Sequence, residues 1–295
     1  MCRISAMNKL AADELKNNKL LKVFLAVASV CVIGFPLMAA CAFEDDVSHD
    51  YGVFLGATSA DIDVMKEYET VVIDAQYYTA DEIDELQADG HQVYSYINLG
   101  SLEDYRPYYD EYSKYSLDVY EHWEDERWMD VSQKEWQDFL VKELAPSILD
   151  KGVDGLFVDN VDVYYNYETE AIYEGVTTIL KGFVDTGAYV VINGGDTYVW
   201  EYAERNDSLD GVLDAVNQES VFSAIDWDNE DSFMTADEED HEYFTEYVEM
   251  VAGYDKDVYL LEYSTDEDLI AQIDTYCRNN GFTYYVSSTL ALRAR

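Results

Sequence analysis

VDGLFVD, residues 153–159, is an apolar run that stops on an acid. A strand with one wet face alternates polar and apolar residues, whereas a run apolar from Gly155 to Val158 belongs to a strand buried on both faces, as in a parallel sheet covered by helices. Outward from it the same signature recurs at 51–57 (YGVFLGA), 70–76 (TVVIDAQ), 92–99 (QVYSYINL), 189–193 (YVVIN), 211–219 (GVLDAVNQE), 257–263 (DVYLLEY) and 282–288 (FTYYVSS). Helical patterns over 80–89, 133–150, 170–186 and 266–279 lie between these runs. Eight such strands in about 250 residues predict one (β/α)8 TIM barrel over 51–295. A dinucleotide-binding sheet has little support, because Gly194-Gly195 in INGGD lacks the third glycine and its spacing. The long inserts, 100–132 after the third strand and 220–241 after the sixth, leave from strand C-terminal ends, where barrels keep their active sites.

Charge narrows the partners. The chain has 62 acidic and 18 basic side chains, and residues 42–295 alone hold 60 against 13. A surface this anionic repels phosphate, which excludes nucleic acid and anionic lipid headgroups as partners of the folded part. An acidic shell keeps a protein soluble, and it also attracts a cationic substrate; both readings stand together. Apolar residues are 48% of the chain and only three are Pro, so the chain forms a core rather than a disordered acidic tail.

Lys16, Lys19 and Lys22 precede an uncharged run, VFLAVASVCVIGFPLMAAC, which is the layout of an export signal over residues 1–41. The run is also long enough to be considered as an uncleaved anchor. Its end, Leu37-Met38-Ala39-Ala40-Cys41, resembles a bacterial lipobox, which makes Cys41 the candidate for lipidation. Residues 42–50 then form a short acidic linker. The expectation is an exported monomer, secreted or tethered to the outer face of a bacterial cell membrane, touching lipid only through that segment. Cys277 sits with Leu269, Ile273 and Tyr276 at helical spacing and reads as a buried, inert thiol.

Four histidines, His49, His91, His122 and His241, show neither H-E-x-x-H nor H-x-H spacing, and no G-x-S-x-G elbow occurs. The strand ends offer carboxylates instead: Asp74, Asp159, Glu219 and Glu262, with Asn98, Asn193 and Gln218 beside them. Two carboxyl groups across a glycosidic bond hydrolyse it with no metal, imidazole or cofactor. Each also has an innocent alternative, since Asp and Asn after a strand cap helices and close turns. Asp159 stands out because a buried apolar run carries it to the rim, with Asn160 and Asp162 beside it; Asp162 could orient it or hold a cation. The insert DYRPYYDEYSKYSLDVYEHWEDERWMD (104–130) and the tyrosines at 164–167 suit stacking on sugar rings, or packing on themselves.

Five stretches, VVIDAQYYTADEIDELQADGHQVYSYINLGSLEDYRPYY (71–109), RWMDVSQKEW (127–136), GVDGLFVDNVDVY (152–164), VVING (190–194) and DAVNQES (214–220), carry a resemblance spread over most of 51–290. The chain resembles glycoside hydrolase family 114, the endo-α-1,4-polygalactosaminidases, and their bacterial extracellular relatives. The resemblance implies a (β/α)8 barrel that hydrolyses α-1,4-linked galactosamine-containing polysaccharide, with Asp159 and Glu219 as the catalytic pair. Analogy with other α-glycosidase barrels assigns Asp159 as nucleophile and Glu219 as general acid/base of a retaining reaction. The matching segments also supply Asp74, Asn98, Glu103, Arg106, Asp130, Asp162 and Asn193 as substrate-contacting or supporting residues. Tyr77, Tyr164, Gln218 and Glu262 complete the expected substrate set. A partly deacetylated galactosamine polymer is a polycation, so the charge would speed its encounter. The competing readings are a non-catalytic carbohydrate-binding lipoprotein on the same scaffold and a structural surface protein without a cleft.

Overall fold

The computed structural model describes residues 50–120, 123–227, 229 and 232–294. The export segment with Cys41, linker residues 42–49 and His122 lie outside the described residues. All eight apolar runs contribute a strand to one parallel sheet, alternating with helices as a TIM barrel does. In chain order the strands are β1 (Tyr51–Val53), β2 (Thr70–Ile73), β3 (Gln92–Asn98), β4 (Ser101–Glu103), β5 (Ser116–Tyr120), β6 (Trp123–Met129), β7 (Gly155–Asp159), β8 (Tyr189–Asn193), β9 (Ala215–Glu219), β10 (Ser223–Ile225), β11 (Phe233–Thr235), β12 (Asp257–Tyr263) and β13 (Thr283–Ser287). The barrel order is β1-β2-β3-β7-β8-β9-β12-β13.

Each strand is apolar on both faces because it separates two cores. Val71, Ile73, Val93, Ile97, Leu156 and Val158 point outward to the helices, while Val72, Tyr94, Tyr96, Phe157, Val191 and Leu261 fill the barrel. This parity puts Asp159 on the inner face with Phe157, and Asn193 with Val191.

Both inserts form small sheets at the C-terminal ends of the barrel strands. The first carries the antiparallel order β4-β6-β5, and the second the hairpin β10-β11. The second is shorter than the sequence suggested, since a helix already starts at Glu238, capped by Asp237. The stretch 133–150 is helical but broken: Lys134–Phe139, a π-turn over Leu140–Leu144, then Ala145–Leu149. Pro146 has no N–H to return to the Lys142 carbonyl, and the helix widens just before it. Among the described residues no helix is long and apolar enough to cross a membrane.

The two ends of the ladder meet where the Gly56 N–H donates to the Leu292 carbonyl at 3.1 Å, leaving the barrel nearly closed. A Cβ on Gly56 would lie 1.9 Å from the Ala291 carbonyl oxygen. Relief requires backbone movement at the seam, an overpacking cost of about 1–3 kcal/mol. Gly56→Ala is therefore expected to lower the melting temperature by about 5 °C, read by circular dichroism, with the helical signal unchanged at 25 °C.

Candidate active site

Three neighbouring strands, β7, β8 and β9, end on Asp159, Asn193 and Glu219. Asn193 joins the two acids: its Nδ2 donates to Asp159 Oδ1 at 2.9 Å and to Glu219 Oε1 at 2.8 Å. The amide is oriented from below, because Asn193 Oδ1 accepts from Asn217 Nδ2 at 2.7 Å and Asn217 Oδ1 accepts from the buried Tyr51 hydroxyl at 3.0 Å. The outer oxygens are held as well. Asn160 Nδ2 donates to Asp159 Oδ2 at 3.3 Å, and the Tyr263 hydroxyl donates to Glu219 Oε2 at 2.7 Å. Two oxygens sharing one nitrogen at hydrogen-bond distance cannot be more than about 6 Å apart.

The chain leaves all three strands through left-handed backbone. Asn160 has φ 62°, Ser220 φ 58°, and Gly194 and Gly195 φ 64° and 69°. Asn and Gly tolerate this region, but Ser220 is strained in it, and such strain gathers where a side chain must be held at a set angle. A Cβ on Gly194 would sit 2.9 Å from Asp162 Oδ2, while the Gly195 N–H donates to Asp162 Oδ1 at 3.3 Å.

Asp159, Asn160, Asn193, Glu219 and Tyr263 line a cavity of about 560 Å³ at the strand ends, a size usual for small-molecule sites. Its acids include Asp74, Glu126, Asp159, Asp162, Asp196 and Glu219, and among its described lining residues Arg106 alone is basic. Arg106 is already engaged, bonding Asp74 Oδ2 and Glu103 Oε1, each at 2.7 Å. Crowded acids raise one another. Burial pushes Asp159 up to about 6, against the Asn193 hydrogen bond and helped by the Glu219 charge. Burial and the charges of Asp196 and Asp159 take Asp162 to about 7. Burial, opposed by the Ser101 hydrogen bond and aided by Glu103 and Asp159, takes Glu126 to about 8. Such a pocket lowers its own electrostatic cost by binding a cation.

The residues singled out from sequence fall into three groups. Asp74, Tyr77, Arg106, Asp159, Asp162, Asn193, Gln218 and Glu219 line the cavity together. Asn98 and Glu103 are buried behind it: Asn98 accepts from the Ser101 N–H and from Asn160 Nδ2, and Glu103 holds Arg106 and accepts from the Tyr96 hydroxyl. Asp130, Tyr164 and Glu262 lie outside it. Asp130 closes a turn by accepting from Ser132 and Gln133, and the Tyr164 hydroxyl donates to Glu201. Glu262 is 0% exposed and accepts from the N–H groups of Val221, Phe222 and Ser223 and from the Ser223 hydroxyl, so it ties down the chain after β9 instead of reaching ligand.

The sequence profile of glycoside-hydrolase family GH114 matches residues 39–184, a span that includes Asp74, Arg106 and Asp159. The chain belongs to this family. It is thus a glycoside hydrolase. No curated protein sequence matches this GH114 chain. Its fold is similar to the glycoside hydrolase domain of PelA from Pseudomonas aeruginosa, with a TM-score of 0.68 at 18% identity over 82% of this chain and 95% of that one. Ega3 of Aspergillus fumigatus, solved in complex with galactosamine, gives a TM-score of 0.63 at 17% identity over 87% and 97%. An α-galactosidase from Thermus thermophilus follows at 0.53 and 9% identity, over 79% and 57%. At these identities the likenesses speak to the barrel.

Sequence reasoning passed over several groups of this GH114 site. Glu126 and Trp123 come from the first insert, Trp227 from the second, Asp196 follows Gly195, and Tyr263 ends β12. Tyr263 is hidden by the strand itself: Tyr259, Leu261 and Tyr263 share one parity and Glu262 has the other, but both parities are apolar, so nothing local tells which faces the cavity. In the first insert aromatic composition points to sugar stacking without singling out Trp123, and Glu126 and Trp227 have no signal, because neither insert has a period to read.

Proposed function

We propose that this GH114 enzyme is exported and hydrolyses α-1,4-linked, galactosamine-containing polysaccharide with retention, using Asp159 as nucleophile and Glu219 as general acid/base. One observation carries the proposal: a single amide, Asn193 Nδ2, holds both carboxylates at 2.9 and 2.8 Å. An oxygen separation under about 6 Å suits the ~5–5.5 Å spacing of retaining pairs better than the ~6.5–9.5 Å that leaves room for water in inverting ones. The galactosamine bound by Ega3 supports the sugar class, as does a lining crowded with acids. Export rests on the 1–41 segment, with Cys41 as the proposed lipid attachment point.

A non-catalytic binding protein would leave the two acids apart or locked by Arg, and neither acid touches Arg106, which is taken by Asp74 and Glu103. The opposite division of labour has one observation in its favour. Asp159 is pushed up to about 6, which suits a proton donor as well as a buried nucleophile.

The test is release of reducing ends from a partly deacetylated galactosamine polymer by the purified 42–295 fragment, followed against pH. A nucleophile must be ionised. With Asp159 raised to about 6, kcat/KM is expected to be full above that pH and to fall ten-fold per unit as pH drops below it. An acid limb centred near 4, or no hydrolysis at all, contradicts the assignment.

A further inference from the structure

Beside the cavity that holds Asp159 and Glu219, a second depression runs out over the inserts. It shares Tyr120, Trp123, Asp162 and Trp227 with the cavity and continues to Asp118, Tyr165 and Tyr167. Trp123 comes from β6 and Trp227 from the connection between β10 and β11, so the two inserts meet here. Their ring centroids are 6.5 Å apart and their planes cross at 87°.

The first insert packs other rings away, Tyr120 stacking on Trp128 at 4.3 Å and Tyr112 on Phe139 of the helix that follows it at 4.3 Å. Trp123 and Trp227 stay partly in water instead, 41% and 49% exposed, and Tyr165 is 53% exposed. Large rings gathered at one exposed rim mark a binding surface more than chance does, since burying each would have been favourable. The described lining contains Asp118 and Asp162 and no Lys or Arg.

We propose that this depression is a second carbohydrate-binding surface, where further sugar units of the polysaccharide chain engaged at Asp159 and Glu219 stack on Trp123 and Trp227. The inference rests on the hydrolase reading above. Continuity of the lining selects the occupant, because a polymer leaving the cavity past Asp162 meets these rings next. An acidic lining without a base suits aminosugar units over anionic ones. The enzyme then grips several units at once and cleaves inside a chain.

Wild type, Trp227→Ala and Trp227→Phe are compared on long galactosamine polymer and on a nitrophenyl α-galactosaminide, which is too short to leave the cavity. A lost stacking face removes binding shared by ground and transition states. KM for the polymer is expected to rise about ten-fold in Trp227→Ala and to recover in Trp227→Phe, a larger change than the same variants show in kcat/KM on the short substrate. Unchanged polymer KM overturns the proposal, as does an equal loss on both substrates at unchanged melting temperature. Affinity electrophoresis separates this outcome from failure of the hydrolase reading. Wild type that cleaves nothing but is retarded by the polymer, with retardation lost in Trp227→Ala, sustains the surface; equal retardation of both proteins overturns it.

Discussion

Asp159→Asn is expected to lower kcat on the polymer by at least about 10³-fold, and Glu219→Gln to do the same, each with little change in polymer binding. Both replacements keep the shape of the side chain, and an amide oxygen can still accept from Asn193 Nδ2, so the site stays assembled while its charge chemistry is gone. The two variants separate on an aryl glycoside. A nitrophenolate departs without protonation, so the variant lacking the general acid regains most of its first-step rate, whereas the variant lacking the nucleophile does not. Recovery by Glu219→Gln supports Asp159 as nucleophile, and recovery by Asp159→Asn reverses the two roles. Polymer turnover within two-fold of wild type in both variants removes the pair from the mechanism.

Arg106→Met is expected to unfold at a temperature about 10 °C below wild type. Arg106, Asp74 and Glu103 are all nearly free of solvent, and the one guanidinium serves both carboxylates through two 2.7 Å contacts. It also lies 5.2 to 5.8 Å from the ring centroids of Tyr77, Tyr96 and Tyr105, which close over it. Methionine fills the space and removes the charge, leaving buried carboxylates unpaired at a cost of about 3–5 kcal/mol. The pH dependence identifies the cause. Burial already raises Asp74 above the usual carboxylate range against the pull of Arg106, and without Arg106 it rises further. A carboxyl raised on folding favours the folded state below its unfolded pKa, and this advantage is lost as pH rises through the folded value. The deficit of the variant should therefore shrink from pH 7 to pH 5, as measured by thermal melts at both. A constant deficit would assign the loss to packing. Arg106→Lys should recover only part of it, because one ammonium cannot fork to two carboxylates as a guanidinium does.

The eight strands were legible because burial on both faces leaves a continuous apolar run, and the acid or amide that ends several of these runs marks the place where the barrel opens to solvent. Asp159, Asn193 and Glu219 could be named for this reason. That property also concealed the face each residue takes: a strand apolar at every position has no period of two. Glu262 and Tyr263 are adjacent in sequence, and either could have entered the cavity. Pairing of Leu261 with Glu219 across β12 and β9 puts the parity of Leu261 and Tyr263 inward. Tyr263 thereby reaches Glu219, and Glu262 turns to the backbone of 221–223.

The sequence by itself determined the barrel, the order of its strands and the acids at their C-terminal ends, because these follow from which residues avoid water and which cannot. Only the tertiary structure decided that one asparagine spans two acids, that Arg106 is already engaged by Asp74 and Glu103, and that Trp123 and Trp227 meet from inserts about a hundred residues apart. Those facts depend on strand register and on loops folded over the mouth, and contacts across a barrel have no counterpart in the local order of the chain.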